Sequence, residues 1–266
     1  MENSDVIKQA VKDEYSKRVE NFNKSKNSSG SQGNPENNFK IVGDEYSKLD
    51  GYNPDADMGQ GCGLPTQFAK IKEGDTVLDL GCGAGNDCFV ARSVAGETGK
   101  IIGIDMTEAM INKAKENADK LGYKNMEFIL GEIENMPIPS NTADVVVSNC
   151  VLNLVPDKKK AFSEIHRVLR PGGHFSISDM VLIGSLPKEL RESIKLYAQC
   201  VAGAITKDEY LGIIYEQGFQ NVILQKEEKV TIPDDQLPKF LTENEIKKLR
   251  NSEVKVFSIT VYGEKF

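Results

Sequence analysis

The chain has 266 residues, of which 39% are hydrophobic and 27% charged, and these proportions are ordinary for a globular protein. Its 33 basic and 40 acidic residues give a net charge of −7, which argues against a large basic surface for nucleic acid. The charged N-terminus lacks the apolar core of a signal peptide, and no apolar run approaches the ~20 residues that span a bilayer. We therefore expect a cytoplasmic protein with no nucleic-acid or membrane partner.

Residues 1–45 are expected to form a unit of their own, made of an N-terminal helix and a flexible segment. Residues 5–22 carry a few apolar anchors, which predicts the helix. Residues 27–38, NSSGSQGNPENN, contain no hydrophobic side chain. Such a segment cannot bury enough surface to offset the entropy of ordering, so we expect it to be flexible.

Residues 46–180 are predicted to form a core in which short strands alternate with helices. The predicted strands are TVLDL (76–80), IIGID (101–105), MEFILG (126–131), ADVVVSN (143–149) and HFSISD (174–179). Thr107 is expected to cap the helix after the second strand. A later helix, with Ala161 and Leu169 on its apolar face, is expected to end at the Pro-Gly-Gly of residues 171–173.

The alternation of strands and helices predicts an α/β fold, with parallel βαβ units and helices on both faces of the sheet. In such sheets the ligand lies beyond the carboxyl ends of the strands. The turns that follow Leu80, Ile104, Leu130 and Ser148 should therefore surround one crevice.

Residues 181–266 are expected to be a small C-terminal extension that completes the sheet and covers the crevice. Helices are predicted over about residues 187–200 and 207–217. Two further strands are predicted at residues 221–227 and 254–265, which brings the predicted total to seven strands.

A glycine-rich turn, with glycines at positions 81, 83 and 85, follows the first strand and lets backbone approach a ligand closely. A dinucleotide fingerprint would require glycine at position 86, where the chain has Asn86, so a dinucleotide oxidoreductase is disfavoured. Asp79 precedes the turn, where a carboxylate suits a cation better than a pyrophosphate. Asp105 is placed for ribose hydroxyls, and Glu132 with Ile133 for the edge of an adenine.

Together these features predict a crevice for a positively charged nucleoside such as S-adenosylmethionine, which carries an ammonium and a sulfonium. The predicted cofactor contacts are Asp79, Gly81, Cys82, Gly83, Asn86, Asp105, Met106, Glu132, Ile133 and Asn149. The alternatives are that Asp79 and Asp105 cap helices or are solvated acids, and that residues 131–133 are an ordinary strand end.

Five cysteines stand at positions 62, 82, 88, 150 and 200. An odd number without a secretion signal favours reduced thiols over a disulfide framework. Cys82 and Cys88 are expected to fill space, because free cysteine is among the most buried residue types. Cys62 lies in a glycine-flanked loop that looks a poor core environment, Cys150 follows the fourth strand, and Cys200 ends a predicted helix.

Four segments together resemble class I S-adenosylmethionine-dependent methyltransferases: VLDLGCGAG, IIGIDMT, SNCVLNLVPDK and RVLRPGGHFSISD. Within that superfamily, GQGCG followed by Pro65, NDCF, SNCV and QCVAGA are similar to the arsenite methyltransferases, over about residues 45–218. The resemblance implies a Rossmann-like, mostly parallel seven-stranded sheet. It also implies methyl transfer from S-adenosylmethionine to trivalent arsenic, with arsenite and methylarsenite as substrates of a monomeric enzyme.

The resemblance further implies that Cys150 and Cys200 bind arsenic, and that Cys62 either supplies a third thiolate or forms a disulfide with Cys150 during turnover. An external thiol reductant such as glutathione or thioredoxin would then reduce that disulfide. Family members commonly carry further cysteines near the N-terminus, whereas no cysteine precedes Cys62 here. The chemistry requires no general base, so His166 and His174 are expected to be structural.

Two other functions stay open on the sequence alone. The first is a methyltransferase that acts on a small organic substrate such as a quinone precursor or a sterol-like molecule. The second is a non-catalytic thiol module that senses or sequesters soft metals, against which Asp79 and the glycine turn argue.

Overall fold

A seven-stranded, mostly parallel β-sheet organises the chain in a computed structural model that describes residues 2–28, 46–184, 186, 203–230, 238 and 241–266. The strands are β1 (Thr76–Leu80), β2 (Lys100–Asp105), β3 (Met126–Leu130), β4 (Ala143–Asn149), β5 (Leu169–Ile183), β6 (Gln220–Val230) and β7 (Lys255–Glu264). Their order is β3-β2-β1-β4-β5-β7-β6. β7 runs antiparallel to both β5 and β6, and the other pairs are parallel.

Seven α-helices surround the sheet in the described part of the chain. They are α1 (Glu2–Ser28), α2 (Pro65–Phe68), α3 (Asn86–Ala95), α4 (Glu108–Leu121), α5 (Lys158–Val168), α6 (Lys207–Glu216) and α7 (Glu243–Asn251). The helix predicted over residues 187–200, Cys200 itself and residues 29–38 of the predicted flexible segment lie outside the described residues.

Both faces of the sheet are buried in apolar clusters. Strands β1, β2 and β4 contribute to both clusters, because neighbouring side chains of a strand point to opposite sides of the sheet. On β1, Val77 packs in a cluster with Phe89 of α3, on the face that α3 and α4 cover. Its neighbour Leu78 packs in the cluster of the other face with Phe162 of α5 and Tyr210 of α6. The predicted α/β fold, with helices on both faces and two C-terminal strands that complete the sheet, is confirmed.

The Pro-Gly-Gly of residues 171–173 was predicted to end a helix, and this prediction is wrong. Helix α5 already ends at Val168, and β5 begins at Leu169. The ladder between β4 and β5 is irregular at this point, with Ala143 opposite Leu169 and Val145 opposite His174. The backbone N–H of Gly172, at φ +80°, donates to the carbonyl of Lys265 at 2.7 Å, so the segment belongs to the sheet.

Helix α1 is longer than the predicted span of residues 5–22 and packs against α4. Its side chains Val11 and Val19 are buried, in two different apolar clusters. In the part of the chain that the structure describes, no helix is both long and apolar enough to cross a membrane.

Gly81, the first residue after β1, is constrained by its backbone and by its surroundings. Its φ is +67°, and a Cβ at this position would lie 2.5 Å from a methyl carbon of Val151. Gly122 has a similar φ of +70° but nothing within 4 Å of the same point. A side chain would be strained by the backbone at both glycines, but it would also collide with a neighbour at Gly81 alone. Comparing the two positions therefore distinguishes the effect of the collision from that of backbone strain.

We expect Gly81→Ala to lower the free energy of unfolding by about 1–3 kcal/mol more than Gly122→Ala does, because only the former overpacks its surroundings. Urea unfolding of the two variants measures the difference. Adding Val151→Ala to Gly81→Ala should recover part of the loss. Equal destabilisation by the two glycine substitutions would contradict this account.

Candidate functional site

A crevice of about 150 Å³ opens at the carboxyl ends of β1, β2, β3 and β4. Its lining includes all ten predicted cofactor contacts, namely Asp79, Gly81, Cys82, Gly83, Asn86, Asp105, Met106, Glu132, Ile133 and Asn149. Cys150 lines it as well. The parallel strands bring these residues together, since their carboxyl ends meet at one edge of the sheet.

The glycine turn is held open by hydrogen bonds to β2 and to Asp105. The N–H groups of Gly81 and Cys82 donate to the carbonyl of Ile104 at 2.7 and 3.0 Å. The Asp105 carboxylate accepts from the N–H of Gly83 at 3.1 Å and from that of Thr107 at 2.8 Å. Asp105 therefore orders the loops around the crevice, and burial raises its pKa.

Two buried acids lie at the base of the crevice, although only Asp79 was predicted. Asp79 is 2% exposed and accepts a hydrogen bond from the thiol of Cys88 at 3.2 Å. Burial and the nearby Asp87 carboxylate raise the pKa of Asp79 well above its usual value. Burial also raises the pKa of Asp87 to about 6, against the hydrogen bonds from Tyr46 and Asn149 that favour its ionised form.

The polar atoms of the crevice fit a cationic nucleoside. Among the described residues, Oδ1 of Asn86 is a buried side-chain oxygen with no hydrogen-bond partner, and Asn86 lines the crevice. A Cβ on Gly83 would meet only the Met110 sulfur, at 3.9 Å, so the turn leaves space for a ligand. With the carboxylates of Asp79 and Asp87 below, the site offers acceptors for hydroxyl and ammonium groups.

Asn149 joins the crevice to the loop that carries Cys62. Its Oδ1 accepts from the N–H of Cys62 at 3.0 Å, and its Nδ2 donates to the carbonyl of Gly63 at 2.9 Å. The same Nδ2 group contacts Asp87 at 3.3 Å and makes a short contact with the hydroxyl of Tyr46. Asn149 was predicted as a cofactor contact, and its hydrogen bonds here go to the cysteine loop, to Asp87 and to Tyr46.

Cys62 and Cys150, 88 residues apart in the chain, meet next to Asp179. Both cysteines are reduced, and their sulfurs and a carboxylate oxygen of Asp179 all lie within 4.8 Å of one another. Cys150 has a φ of +60°, and its N–H donates to the carbonyl of Ser178 at 2.7 Å. Cys200, the third predicted ligand, lies outside the described residues.

Cys62 is only 1% exposed, so the expectation that its glycine-flanked loop is a poor core environment is wrong. The loop can fold inward because Asn149 and Ser258 bond the backbone N–H and carbonyl of Cys62. Cys62 and Cys150 belong to one apolar cluster with Val11, Leu154, Met180, Leu182, Leu186, Ala204 and Leu241.

Asp179 of β5 was absent from the predicted site, although it is the last residue of the predicted strand HFSISD. Its carboxylate accepts from the N–H of Met180 at 3.0 Å and from the hydroxyl of Tyr210 at 3.2 Å. Burial raises the pKa of Asp179 to about 7, and the positive charge of Lys158 acts in the opposite direction. A buried carboxylate beside two thiols adds an oxygen atom to the donor set.

Helix α1 covers one side of the crevice. The ammonium of Lys8 forms ion pairs with Glu132 at 2.8 Å and with Glu134. Val11 and Tyr15 of the same helix also line the crevice. The strand end that was predicted to meet an adenine is therefore tied to the N-terminal helix by charge.

The remaining cysteines and the histidines have structural contacts. Cys82 and Cys88 are buried in the core cluster beneath α3 and α4, where burial raises the pKa of the Cys88 thiol. His166 packs edge-on against Phe219 with ring centroids 5.2 Å apart, and His174 bonds the carbonyl of Ala69 at 2.6 Å.

Comparisons of the sequence and the fold with known proteins show which family this chain belongs to. Residues 71–218 match the family model described as a methyltransferase domain. The chain is 46% identical over 176 residues to the arsenite methyltransferase of Halobacterium salinarum, a match that covers 66% of this chain and 45% of that protein. An Escherichia coli ubiquinone/menaquinone biosynthesis C-methyltransferase is 28% identical over 173 residues, covering 57% of this chain and 69% of that protein.

A crystal structure of an arsenic(III) S-adenosylmethionine methyltransferase from Chlamydomonas reinhardtii superposes with a TM-score of 0.66 and 36% identity, over 77% of this chain and 68% of that one. The chain spans 45% to 54% of the lengths of the curated arsenite methyltransferases that it matches. The family match covers more than half of the chain, and the arsenic methyltransferase structure aligns over two thirds of its own length. This chain therefore belongs to the arsenite methyltransferase family of class I S-adenosylmethionine-dependent methyltransferases.

Proposed function

We propose that this chain transfers the methyl group of S-adenosylmethionine to trivalent arsenic held by Cys62, Cys150 and Cys200, and so converts arsenite into methylated arsenicals. The observation that carries the proposal is the meeting of Cys62 and Cys150 within 4.8 Å. These thiols come from separate loops, and one of them also lines the crevice. Trivalent arsenic is a soft centre, for which thiolates are the matching protein ligands.

The role of the protein in this reaction is to position two reactants. S-adenosylmethionine, when bound, supplies an electrophilic methyl group on a sulfonium. Arsenic held by thiolates keeps a lone pair that can attack this methyl group in a direct displacement. Cys150 lies at the boundary between the crevice and the apolar cluster, so it can hold arsenic on the side of the donor. Such positioning, with water excluded, accounts for large rate gains.

The cofactor role of the crevice is proposed from its polar groups. The carboxylate of Asp105 would accept hydrogen bonds from ribose hydroxyls, and the acids Asp79 and Asp87 would attract the ammonium group. The turn of Gly81 and Gly83 gives backbone close access to the ligand. The edge near Glu132 and Ile133 would meet the adenine.

We propose that Cys62 and Cys150 also reduce arsenic after transfer. Methylation leaves arsenic formally pentavalent, and two electrons return it to the trivalent state. The two thiolates, which lost their protons when they bound arsenic, supply these electrons when both arsenic–sulfur bonds break and one sulfur–sulfur bond forms between Cys62 and Cys150, whose sulfurs lie within 4.8 Å of each other. An external thiol such as glutathione or thioredoxin would then reduce the disulfide.

We further propose that residues 46–180 form the cofactor-binding core, that residues 1–45 and 181–266 cover the arsenic site, and that the chain works as a monomer. The support is that Val11, Ala204 and Leu241 pack in the same cluster as Cys62 and Cys150.

A second candidate function is methyl transfer to a small organic acceptor, which the similarity to the quinone-pathway enzyme favours. The two candidates differ in their need for thiols. Arsenic methylation requires the cysteines, whereas an organic acceptor leaves no role for two thiols beside Asp179.

We expect Cys62→Ser and Cys150→Ser each to lower the rate of arsenite methylation by at least about 100-fold, because loss of a ligand misplaces the arsenic atom. The assay measures methylated arsenic formed from arsenite, S-adenosylmethionine and a thiol reductant. Cys88→Ser is the matched control, since a hydroxyl can still donate to Asp79. Undiminished product from both ligand variants would exclude arsenic binding by these thiols, and absence of product from the unaltered chain would favour the organic acceptor.

Binding of the cofactor should depend on pH because a cation favours ionised carboxylates. The pKa of Asp87 is raised to about 6, so protons compete with the ligand below that pH. We expect the affinity for S-adenosylhomocysteine, which keeps the ammonium group, to fall by up to about tenfold per pH unit below about pH 6. Calorimetry across this range measures it.

Asp87→Asn should lower the affinity and flatten this pH profile. Asp144→Asn is the control, since Asp144 lies outside the crevice and pairs with Arg170 at the other end of β4. An unchanged pH profile in Asp87→Asn would show that another group governs binding.

A further inference from the structure

Asp179 is buried more completely than an ordinary carboxylate. It is 0% exposed, and its oxygen lies within 4.8 Å of the sulfurs of both Cys62 and Cys150. A buried carboxylate is costly unless hydrogen bonds compensate for its lost hydration. The hydrogen bonds that Asp179 accepts therefore determine whether its carboxylate is stable beside the two thiols.

The hydrogen bonds of Asp179 within the protein leave room for one more. Its donors are the backbone N–H groups of Met180 and Asn153 and the hydroxyl of Tyr210. An ionised carboxylate offers about four acceptor positions, so these three donors do not use all of them. A ligand bound to Cys62 and Cys150 that carries a hydroxyl can occupy a remaining position.

Arsenite is such a ligand. Arsenite is As(OH)₃, and each arsenic–sulfur bond replaces one arsenic–oxygen bond, with the thiol proton and the departing hydroxyl leaving together as water. After reaction with Cys62 and Cys150, one hydroxyl therefore remains on the arsenic atom. Methylarsenite starts with two hydroxyls and a methyl group, so it keeps none after the same two steps. No change of oxidation state occurs in either case.

We propose that Asp179 is a specificity-determining residue that accepts a hydrogen bond from the hydroxyl remaining on arsenite while Cys62 and Cys150, but not yet Cys200, hold it. This inference rests on the proposed function. It gives the two-thiolate site a preference for arsenite over methylarsenite, because the latter presents a methyl group to an acceptor oxygen. Tyr210 is a positioning residue, since its hydroxyl donates a hydrogen bond to the carboxylate of Asp179.

The test compares the two arsenicals in a Cys200→Ser background, so that arsenic is bound by Cys62 and Cys150 alone. Asp179→Asn keeps the shape of the side chain and removes its charge. We expect the dissociation constant for arsenite to rise about tenfold and that for methylarsenite to change by less than about twofold, because a charge-assisted hydrogen bond is lost only with arsenite. Calorimetry with each arsenical measures both constants.

Two further variants make the result decisive. Tyr210→Phe keeps the ring stacked edge-on to Phe162, with centroids 5.5 Å apart, and should weaken arsenite binding selectively but less than Asp179→Asn does. Asp144→Asn, an acid at the opposite end of β4 that pairs with Arg170, should change neither constant. Thermal melting and S-adenosylhomocysteine binding confirm that each variant is folded.

The outcomes separate this inference from the proposed function. Selective loss of arsenite binding supports the assignment of Asp179. Equal loss for both arsenicals, or loss for neither, would overturn that assignment while leaving arsenic binding by the cysteines intact. Failure of the Cys200→Ser parent to bind arsenite would overturn the assignment of Asp179, and failure of the unaltered chain to bind either arsenical would overturn both proposals.

Discussion

The side-chain amide of Asn149 is the interaction on which the rest of the site depends. It binds the backbone on both sides of Cys62, reaches Asp87, and belongs to the residue directly before Cys150. One planar group thus sets the position of both thiols relative to the acids of the crevice. A buried hydrogen bond contributes only about 1 kcal/mol net, but leaving its partner unsatisfied costs about 1–3 kcal/mol. The arrangement therefore tolerates little deviation.

The buried acids make the protein without ligand less stable than its fold would allow. Asp79 and Asp87 lie close together with raised pKa values, because burial disfavours their charged forms. In the proposed cofactor role, the ammonium group of the ligand would offset part of that cost.

The fold was largely predictable from the sequence, because its signals are local. The strand at Thr76–Leu80 and the strand at Ala143–Asn149 have the predicted bounds, since apolar runs followed by turns mark them clearly. The location of the ten predicted crevice residues was also predictable, because the carboxyl ends of parallel strands meet at one edge of a sheet. The place of Pro-Gly-Gly within the sheet was not predictable, since its backbone pairs with Lys265 from a distant part of the chain.

The parts of the site that the sequence did not reveal depend on contacts between distant segments. Asp179 becomes significant only because Cys62, over a hundred positions earlier, folds against it. Tyr46 and Tyr210 act through hydroxyl groups whose partners no local pattern specifies. The segment NDCF did contain Asp87, but only the structure shows that this residue is buried at the start of α3.

The left-handed backbone of Cys150 has a consequence for how this fold can change. At φ +60° most side chains cost about 1–2 kcal/mol relative to glycine, which is free to adopt that conformation. A cysteine in this conformation, immediately after β4, therefore bears a backbone cost that glycine would avoid. The arsenic-binding role proposed for Cys150 gives a reason to bear that cost, because glycine has no thiol.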